Sequence, residues 1–353
     1  MAQRLLCTGS ASRALIAPLP QIFNDDIRHD GKPIDWGQWA ITCDDPAFKG
    51  KGNPVRLFAV YSSARLPLIL PLPSARQDTG DDYEAAPDLD HLNPDLRQAL
   101  KDWMAWLVWD VGFEGWRLDF ARGYAGTFVK EYADASVGDK NFIVGEFWAD
   151  LRWSGSFLEY NQDEARKRLI DWVKSTHEYS AAFDFPTKGL LQEAFKNSQF
   201  DRLRAHDGKP PGLLGSWPGK AVTFIDNHDT GSTQQHWPFP GSMVEAGYAY
   251  ILTHPGIPCI FIEHMFDWKG LRDKVAALIR LRKAHGVNAE SKITIRCADR
   301  DLYVAEVEGT TGLLTLKLGP RWDMGQYLPQ ASAGWSLAAS GDGYAVWAKP
   351  KPI

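Results

Sequence analysis

GWRLDFARGY, residues 115–124, decides the fold. Residues 116–120 form an apolar run too short for a helix, yet Arg117 and Asp119 lie within it. A short run bounded by turn residues reads as a buried strand. Similar runs recur downstream at 142–148, 181–185, 221–225 and 259–262. Helical stretches are predicted between them. Leu96, Leu100, Met104, Leu107 and Val111 recur at helical spacing behind Pro94, which suits a first helical turn. Further helices are expected at 163–178, 188–197, 243–253 and 269–285. Alternating short strands and helices signal parallel βα units, and five strands are counted. After Glu290 the pattern changes to period-two runs at 292–296, 302–307, 313–318 and 344–348, the mark of a small antiparallel β domain.

Three acids occupy matching places in these strands: Asp119 in GWRLD, Glu146 in FIVGEFW (142–148) and Asp229 in FIDNHD (224–229). Residues at the C-terminal ends of parallel barrel strands face one mouth and carry catalysis. A single acid there is usually a cap or a surface charge, but burying three without a purpose is costly. Glycoside hydrolysis needs one ionised and one protonated carboxyl. Glu146 has Phe142, Ile143, Val144, Phe147 and Trp148 around it in sequence, a setting that raises a carboxyl pKa. Arg117, two residues before Asp119 on the same strand face, would keep Asp119 ionised. His228 could donate to sugar hydroxyls; the plainer reading is a core or capping histidine.

Composition bounds the rest. Lys+Arg number 39 against 44 Asp+Glu, a formal charge of -5, which argues against nucleic acid or anionic lipid as the main partner. No uninterrupted apolar run approaches the length of a membrane-spanning helix. Cys7, Cys43, Cys259 and Cys297 show no CxxC spacing, hence neither a zinc site nor a disulfide framework. The 15 Trp supply flat amphipathic rings suited to stacking on ligands or filling a core. The first 17 residues hold two basic residues, Arg4 and Arg13, and no acid, which reads either as an organelle transit segment or as an ill-defined terminus. Residues 24–54 read as polar loop, and 55–76 as an insert with three Arg, no acid and prolines at 67, 71 and 73. Those prolines argue against a helix or a central strand.

GWRLDFARGY, FIVGEFW and FIDNHDTGSTQQHWPFP (224–240) together resemble three of the four hallmark regions of the alpha-amylase family of glycoside hydrolases. The spelling is similar to the plant and green-algal members. DTGDDYEAAPDLDHLNP (78–94), GYAYILTHPGIPCIF (247–261) and DLYVAEV (301–307) extend the likeness over about 24–54 and 77–348. The resemblance implies an α/β fold, an incomplete (β/α)8 TIM barrel of about five βα units followed by a C-terminal antiparallel β domain. It implies Asp119 as nucleophile, Glu146 as general acid/base and Asp229 as transition-state stabiliser. Arg117, Arg122, Gly123, Trp148 and His228 then fall at substrate positions. Trp217, in a tandem-Trp position that reads Ser216-Trp217 here, and Trp322 match surface sugar sites.

The resemblance further implies Ca2+. Side chains of Asp45, Asp78, Asp82 and Asp88 and backbone oxygens of Asp81, Tyr83, Ala86 and Gly123 match its ligands. Hard Ca2+ takes six to eight oxygens of this mixed kind; a DxxxD loop by itself is most often solvated turn. The family's first hallmark region and first three strand–helix units have no counterpart, so an N-terminally truncated barrel, poorly active or inactive as written, is expected. The domain division expected is 1–23 an unassigned segment with transit-like composition, 24–94 a calcium-binding loop region with the 55–76 insert, 95–289 the partial barrel and 290–353 the β domain. The activity implied is retaining endo-hydrolysis of α-1,4-glucosidic bonds in starch, amylose or maltooligosaccharides, by a monomer of plastid or cytoplasm. Branch-point hydrolysis or glucan transfer is disfavoured by the plant spelling. The contrasting reading is a non-catalytic glucan-binding remnant.

Overall fold

The computed structural model describes residues 36–46, 58–61, 67–70, 77–231 and 234–351. The expected transit-like segment and most of the insert lie outside them. The described residues divide into two compact units, one running to Phe147 with Lys174–Ser180, the other Trp148–Val173 with Ala181 onward.

In the first unit the insert contributes an antiparallel pair, β1 (Phe58–Tyr61) and β2 (Pro67–Leu70). Pro67 opens its strand, where no preceding ladder bond needs its missing N–H. Helix α1 (Pro94–Trp109) begins where Pro94 predicts: Asn93 caps it by accepting from the Asp95 N–H. Its Leu96, Leu100 and Met104 are buried in one cluster with Ala40 and Tyr132, as the spacing requires. Strand β3 (Trp116–Leu118), helix α2 (Thr127–Asp134) and strand β4 (Ile143–Gly145) complete this unit. β3 and β4 pair in parallel, with Trp116 opposite Ile143, Arg117 opposite Val144 and Leu118 opposite Gly145.

The second unit adds a short antiparallel pair, β5 (Trp153–Ser154) and β6 (Phe157–Leu158), then helix α3 (Asp163–Ser175), which ends in the first unit. Strand β7 (Ala181–Phe183) leads to α4 (Phe185–Asn197). That helix starts three residues before the expected 188, because Asp184 caps it by accepting from the Thr187 N–H and Pro186 fits its first turn. Helix α5 (Gly212–Ser216) precedes β8 (Ala221–Phe224), and α6 (Val244–Thr253) precedes β9 (Ile257–Cys259). The last strand is earlier than the 259–262 run: Ile262 opens the short α7 (Ile262–Phe266), and α8 (Leu271–Ala284) follows. β7, β8 and β9 pair in parallel in that order. The five βα units expected from sequence are therefore present, two strands in one unit and three in the other.

The C-terminal part is an antiparallel sheet of β10 (Lys292–Ala298), β11 (Tyr303–Glu308), β12 (Gly312–Leu318), β13 (Ser336–Gly341) and β14 (Tyr344–Pro350), in the order β10-β11-β12-β14-β13. β13 is the strand the sequence pattern did not mark: SLAASG holds small residues and an exposed Leu337, so no alternation shows. The fold is α/β, a partial (β/α)8 barrel with a C-terminal antiparallel β domain. Among the described residues Cys43 and Cys297 are free thiols, and no helix is long and apolar enough to cross a membrane.

Candidate active site and metal centre

The parallel register of β3 and β4 places the first two carboxyls. One step beyond the last pair, Leu118 and Gly145, come Asp119 and Glu146. The Glu146 N–H donates to the Leu118 carbonyl (2.8 Å) and the Ala121 N–H to the Glu146 carbonyl (3.1 Å), so the ladder continues through the acids. Arg117 Nη1 lies 2.5 Å from Asp119 Oδ1 and its Nη2 3.1 Å from Glu146 Oε2. The Phe120 N–H also points at Glu146 Oε2, at 3.4 Å. Glu146 Oε1 is buried and receives no hydrogen bond among the described residues.

These surroundings drive the two carboxyls apart. Burial raises Glu146 to about 7; Arg117 opposes the rise, and the charge of Asp119 adds to it. Burial also acts on Asp119, but hydrogen bonding and charge from Arg117, with a hydrogen bond from Glu146, outweigh it and leave Asp119 below its usual range. Of the two, Glu146 is the group that keeps its proton to higher pH and Asp119 the one that stays ionised. Two neighbouring carboxyls with separated pKa values are the equipment of an acid and a nucleophile.

Phe120 is a site residue that sequence reasoning missed. Its backbone is left-handed (φ 44°), rare for a bulky side chain and found mainly where surrounding structure enforces it. That turn aims its N–H at Glu146 and lays its ring against Gly123, where an added Cβ would stand 2.6 Å from Phe120 Cδ1.

Arg122 and Gly123 face the acidic loop. Arg122 Nε donates to Asp81 Oδ2 at 2.5 Å, and the Arg122 carbonyl accepts from the Asp81 N–H at 2.9 Å. A side chain at Gly80 would collide with the backbone of residues 122–124. Asp78, Asp82 and Asp88 bring one carboxylate oxygen each within 4.8 Å of one another. Asp78 Oδ2 and Asp88 Oδ2 are buried with no hydrogen-bond partner among the described residues. Burial, then the charges of Asp78, Asp45 and Asp82, push Asp88 up to about 8; burial likewise raises Asp78. Asp45 lies outside this cluster but is fully buried, and its Oδ2 accepts from the Asp88 N–H at 2.6 Å. The Tyr83 carbonyl accepts from the Ala86 N–H in a turn (3.1 Å), and the Tyr83 ring lies 5.1 Å from that of Phe120. Orphaned buried carboxylate oxygens on hard acidic side chains fit a hard divalent cation.

The third acid belongs to the second unit, on the loop after β8. Asn227 Oδ1 accepts from the N–H groups of Asp229 (3.0 Å) and Thr230 (2.8 Å), folding an Asx turn that presents His228 and Asp229. Asp229 Oδ1 accepts from Gln234 Nε2 (2.7 Å), and His228 Nε2 lies 3.2 Å from Asp229 Oδ2. Beneath the turn is a buried network with no sequence signal. Asp226 accepts from Thr230 Oγ1 (2.9 Å) and from the Phe239 N–H (3.1 Å to Oδ2), with Lys188 Nζ 3.6 Å away. Lys188 donates to the Trp237 carbonyl at 2.7 Å and lies 4.2 Å from that ring's centroid.

The remaining aromatic candidates are dispersed. Trp148 stacks on Phe185 with ring centroids 4.5 Å apart, Trp217 is half-buried at the end of α5, and Trp322 is 91% exposed with Lys317 Nζ 5.5 Å from its ring.

The family described as "Alpha-amylase C-terminal beta-sheet domain" matches residues 284–348. Probable alpha-amylase 2 of Arabidopsis thaliana is 42% identical over 323 residues, covering 91% of this chain and 69% of the relative. Alpha-amylase 3, chloroplastic, of the same plant is 40% identical over 318 residues, covering 90% of this chain; the chain spans only 32% of that relative's length. Among solved structures, an Anoxybacillus alpha-amylase superposes with a TM-score of 0.55 at 20% identity, over 76% of this chain and 66% of the other. The chain belongs to the alpha-amylase family of glycoside hydrolases.

Proposed function

We propose that this chain carries the retaining machinery for endo-hydrolysis of α-1,4-glucosidic bonds in starch, amylose and maltooligosaccharides. The observation that carries the reading is the separation of Glu146 from Asp119 by burial and Arg117. Glu146, protonated, donates to the departing glycosidic oxygen. Asp119, ionised, attacks the anomeric carbon to form a glycosyl-enzyme ester. Glu146, now ionised, takes a proton from the water that cleaves that ester, which restores both groups. Asp229 stabilises the cationic transition state, with His228 and Arg117 as sugar contacts. Trp148, Arg122 and Gly123 belong to the substrate cleft in this reading, and Trp217 and Trp322 to surface sugar sites.

Asp78, Asp82, Asp88 and Asp45, with backbone oxygens of Asp81, Tyr83, Ala86 and Gly123, would hold Ca2+. The ion would supply positive charge to this acidic cluster. Arg122 and Gly80 fasten the loop to residues 122–124, so order in the loop passes to the turn after Asp119. The proposed division is a calcium-binding loop region over 24–94, a partial barrel over 95–289 and the β domain from 290. A monomer in the plastid fits the basic, acid-free N-terminal composition and the chloroplastic relative.

The test is reducing-sugar release from soluble starch, with the anomeric form of the first product followed by NMR. Retained configuration and loss of turnover in Glu146→Gln support the reading. Inverted products reject it, and binding without any turnover favours a non-catalytic glucan binder.

A further inference from the structure

We propose that the C-terminal antiparallel sheet carries a separate cleft for a short stretch of neutral α-glucan, lined by Tyr327 and Trp335. The identity of the sugar rests on the glucan-hydrolase reading above; the chemistry of the cleft does not.

The register of the sheet builds its floor. Glu306 of β11 is opposite Thr315 of β12, and the neighbours of Glu306 along its strand, Ala305 and Val307, are fully buried on the other face. Arg296 of β10 reaches over the floor, its Nη2 3.2 Å from Glu306 Oε1. The loop between β12 and β13 supplies Gln326, Tyr327 and Trp335 as walls. Together these groups line a cavity of about 460 Å³, within the range of about 300–1,000 Å³ that small-ligand sites occupy. Trp322 is not among the lining residues, so the cleft is distinct from that surface ring.

Charge selects the ligand. Arg296 and Glu306 neutralise each other, so an anion would meet the carboxylate and a cation the guanidinium. A wholly apolar ligand would cover an ion pair and an amide without replacing their water, which is unfavourable. A neutral polyhydroxylated ring meets every group. Its C–H faces pack on Tyr327 and Trp335, while its hydroxyls bridge Arg296 donors, Glu306 acceptors and the Gln326 amide.

The experiment is calorimetric titration of the full chain with β-cyclodextrin, a cyclic α-1,4-glucan, with inorganic phosphate as competitor. Trp335→Ala and Tyr327→Ala should each weaken binding about tenfold, equivalent to about 1.4 kcal/mol. Trp335→Phe should retain most of the affinity, Gln326→Ala at the exposed rim should weaken it without risk to folding, and phosphate should not compete. Starch hydrolysis is measured in parallel: a chain that releases no sugar yet binds β-cyclodextrin in a Trp335-dependent way rejects the hydrolase reading and keeps the cleft. Unchanged affinity in well-folded Trp335→Ala and Gln326→Ala, weakening in Trp322→Ala only, no binding by the parent chain, or displacement by phosphate would each overturn the proposal.

Discussion

One guanidinium, that of Arg117, holds both Asp119 (2.5 Å) and Glu146 (3.1 Å), yet the two carboxyls end on opposite sides of their usual range. The shared cation does not equalise them because burial differs. The Glu146 side chain is 9% exposed and that of Asp119 31%. Desolvation prevails at Glu146; at Asp119 it is also the largest single influence, but the hydrogen bond and charge of Arg117 and the hydrogen bond from Glu146 together outweigh it. Once Asp119 is ionised its charge holds the proton on Glu146.

Glu146→Gln should lower turnover by about 10²–10⁴-fold, the usual contribution of a positioned acid. The amide preserves shape but has no proton to give to the leaving oxygen. Maltooligosaccharide affinity, read by titration, should change little. A variant with parental turnover would remove Glu146 from the acid role.

The rate should fall as pH rises through about 7, because catalysis requires protonated Glu146 and that is where its proton leaves. The acid limb should lie below the ordinary Asp value of about 4, since Asp119 must stay ionised. Arg117→Met removes a cation that lowers both groups, so both limbs should move to higher pH while the rate at the optimum drops. A pH–rate profile of the variant with its alkaline limb unmoved or shifted downward would contradict the assignment.

Calcium should stabilise the chain by about 2.7 kcal/mol at a concentration one hundred times its Kd, and EDTA should reverse this. The sign for Asp88→Asn differs between states. Without metal the variant should melt higher than the parent, since a crowded buried carboxyl is gone. With calcium it should melt lower, since a ligand is gone. Parallel melting curves that show the same order in both conditions would dismiss a cation at Asp78, Asp82 and Asp88.

Legibility in the sequence followed apolar run length. The barrel strands were found because each is a run flanked by turn residues, but the runs overshoot. Residues 116–120 read as strand, yet β3 stops at Leu118, because Phe120 leaves the ladder in a left-handed turn. The run at 259–262 lies beyond β9 (Ile257–Cys259), which pairs with β8 among the described residues and accommodates Pro258 there. The two-residue strands Trp153–Ser154 and Phe157–Leu158 are too short to carry a period. At the site, acids announced themselves through their cost of burial, but their partners did not. The spacing does not show that Arg122, read as a sugar contact, also binds Asp81. Nothing in the spacing joins Lys188 on α4 to Asp226, thirty-eight positions on, because that pairing arises only when α4 packs beside β8.

That buried pair gives the last prediction. The side chains of Lys188 and Asp226 are 0% and 2% exposed, and Asp226 fixes both Thr230 and the Phe239 N–H around the turn that presents Asp229. Lys188→Met removes the lysine from buried Asp226 and leaves it with Thr230 Oγ1, the Phe239 N–H and His264 Nε2 at 3.9 Å, and breaking such a pair typically costs about 3–5 kcal/mol. The cost should depend on pH in a definite direction. Burial already raises Asp226, against the pull of Lys188; without the lysine it rises further. A group whose folded pKa exceeds its unfolded value favours the native state below the unfolded value and loses that effect as pH rises through the folded one. The variant should therefore be most destabilised near neutral pH and recover toward pH values near 4, the unfolded Asp value. Asp226→Asn in the Lys188→Met background should remove this pH dependence and restore part of the stability at neutral pH. Urea denaturation of the three chains at acidic and neutral pH decides the matter. A single variant losing under about 1 kcal/mol, equally at both pH values, would mean that the pair does not hold the turn beneath Asp229.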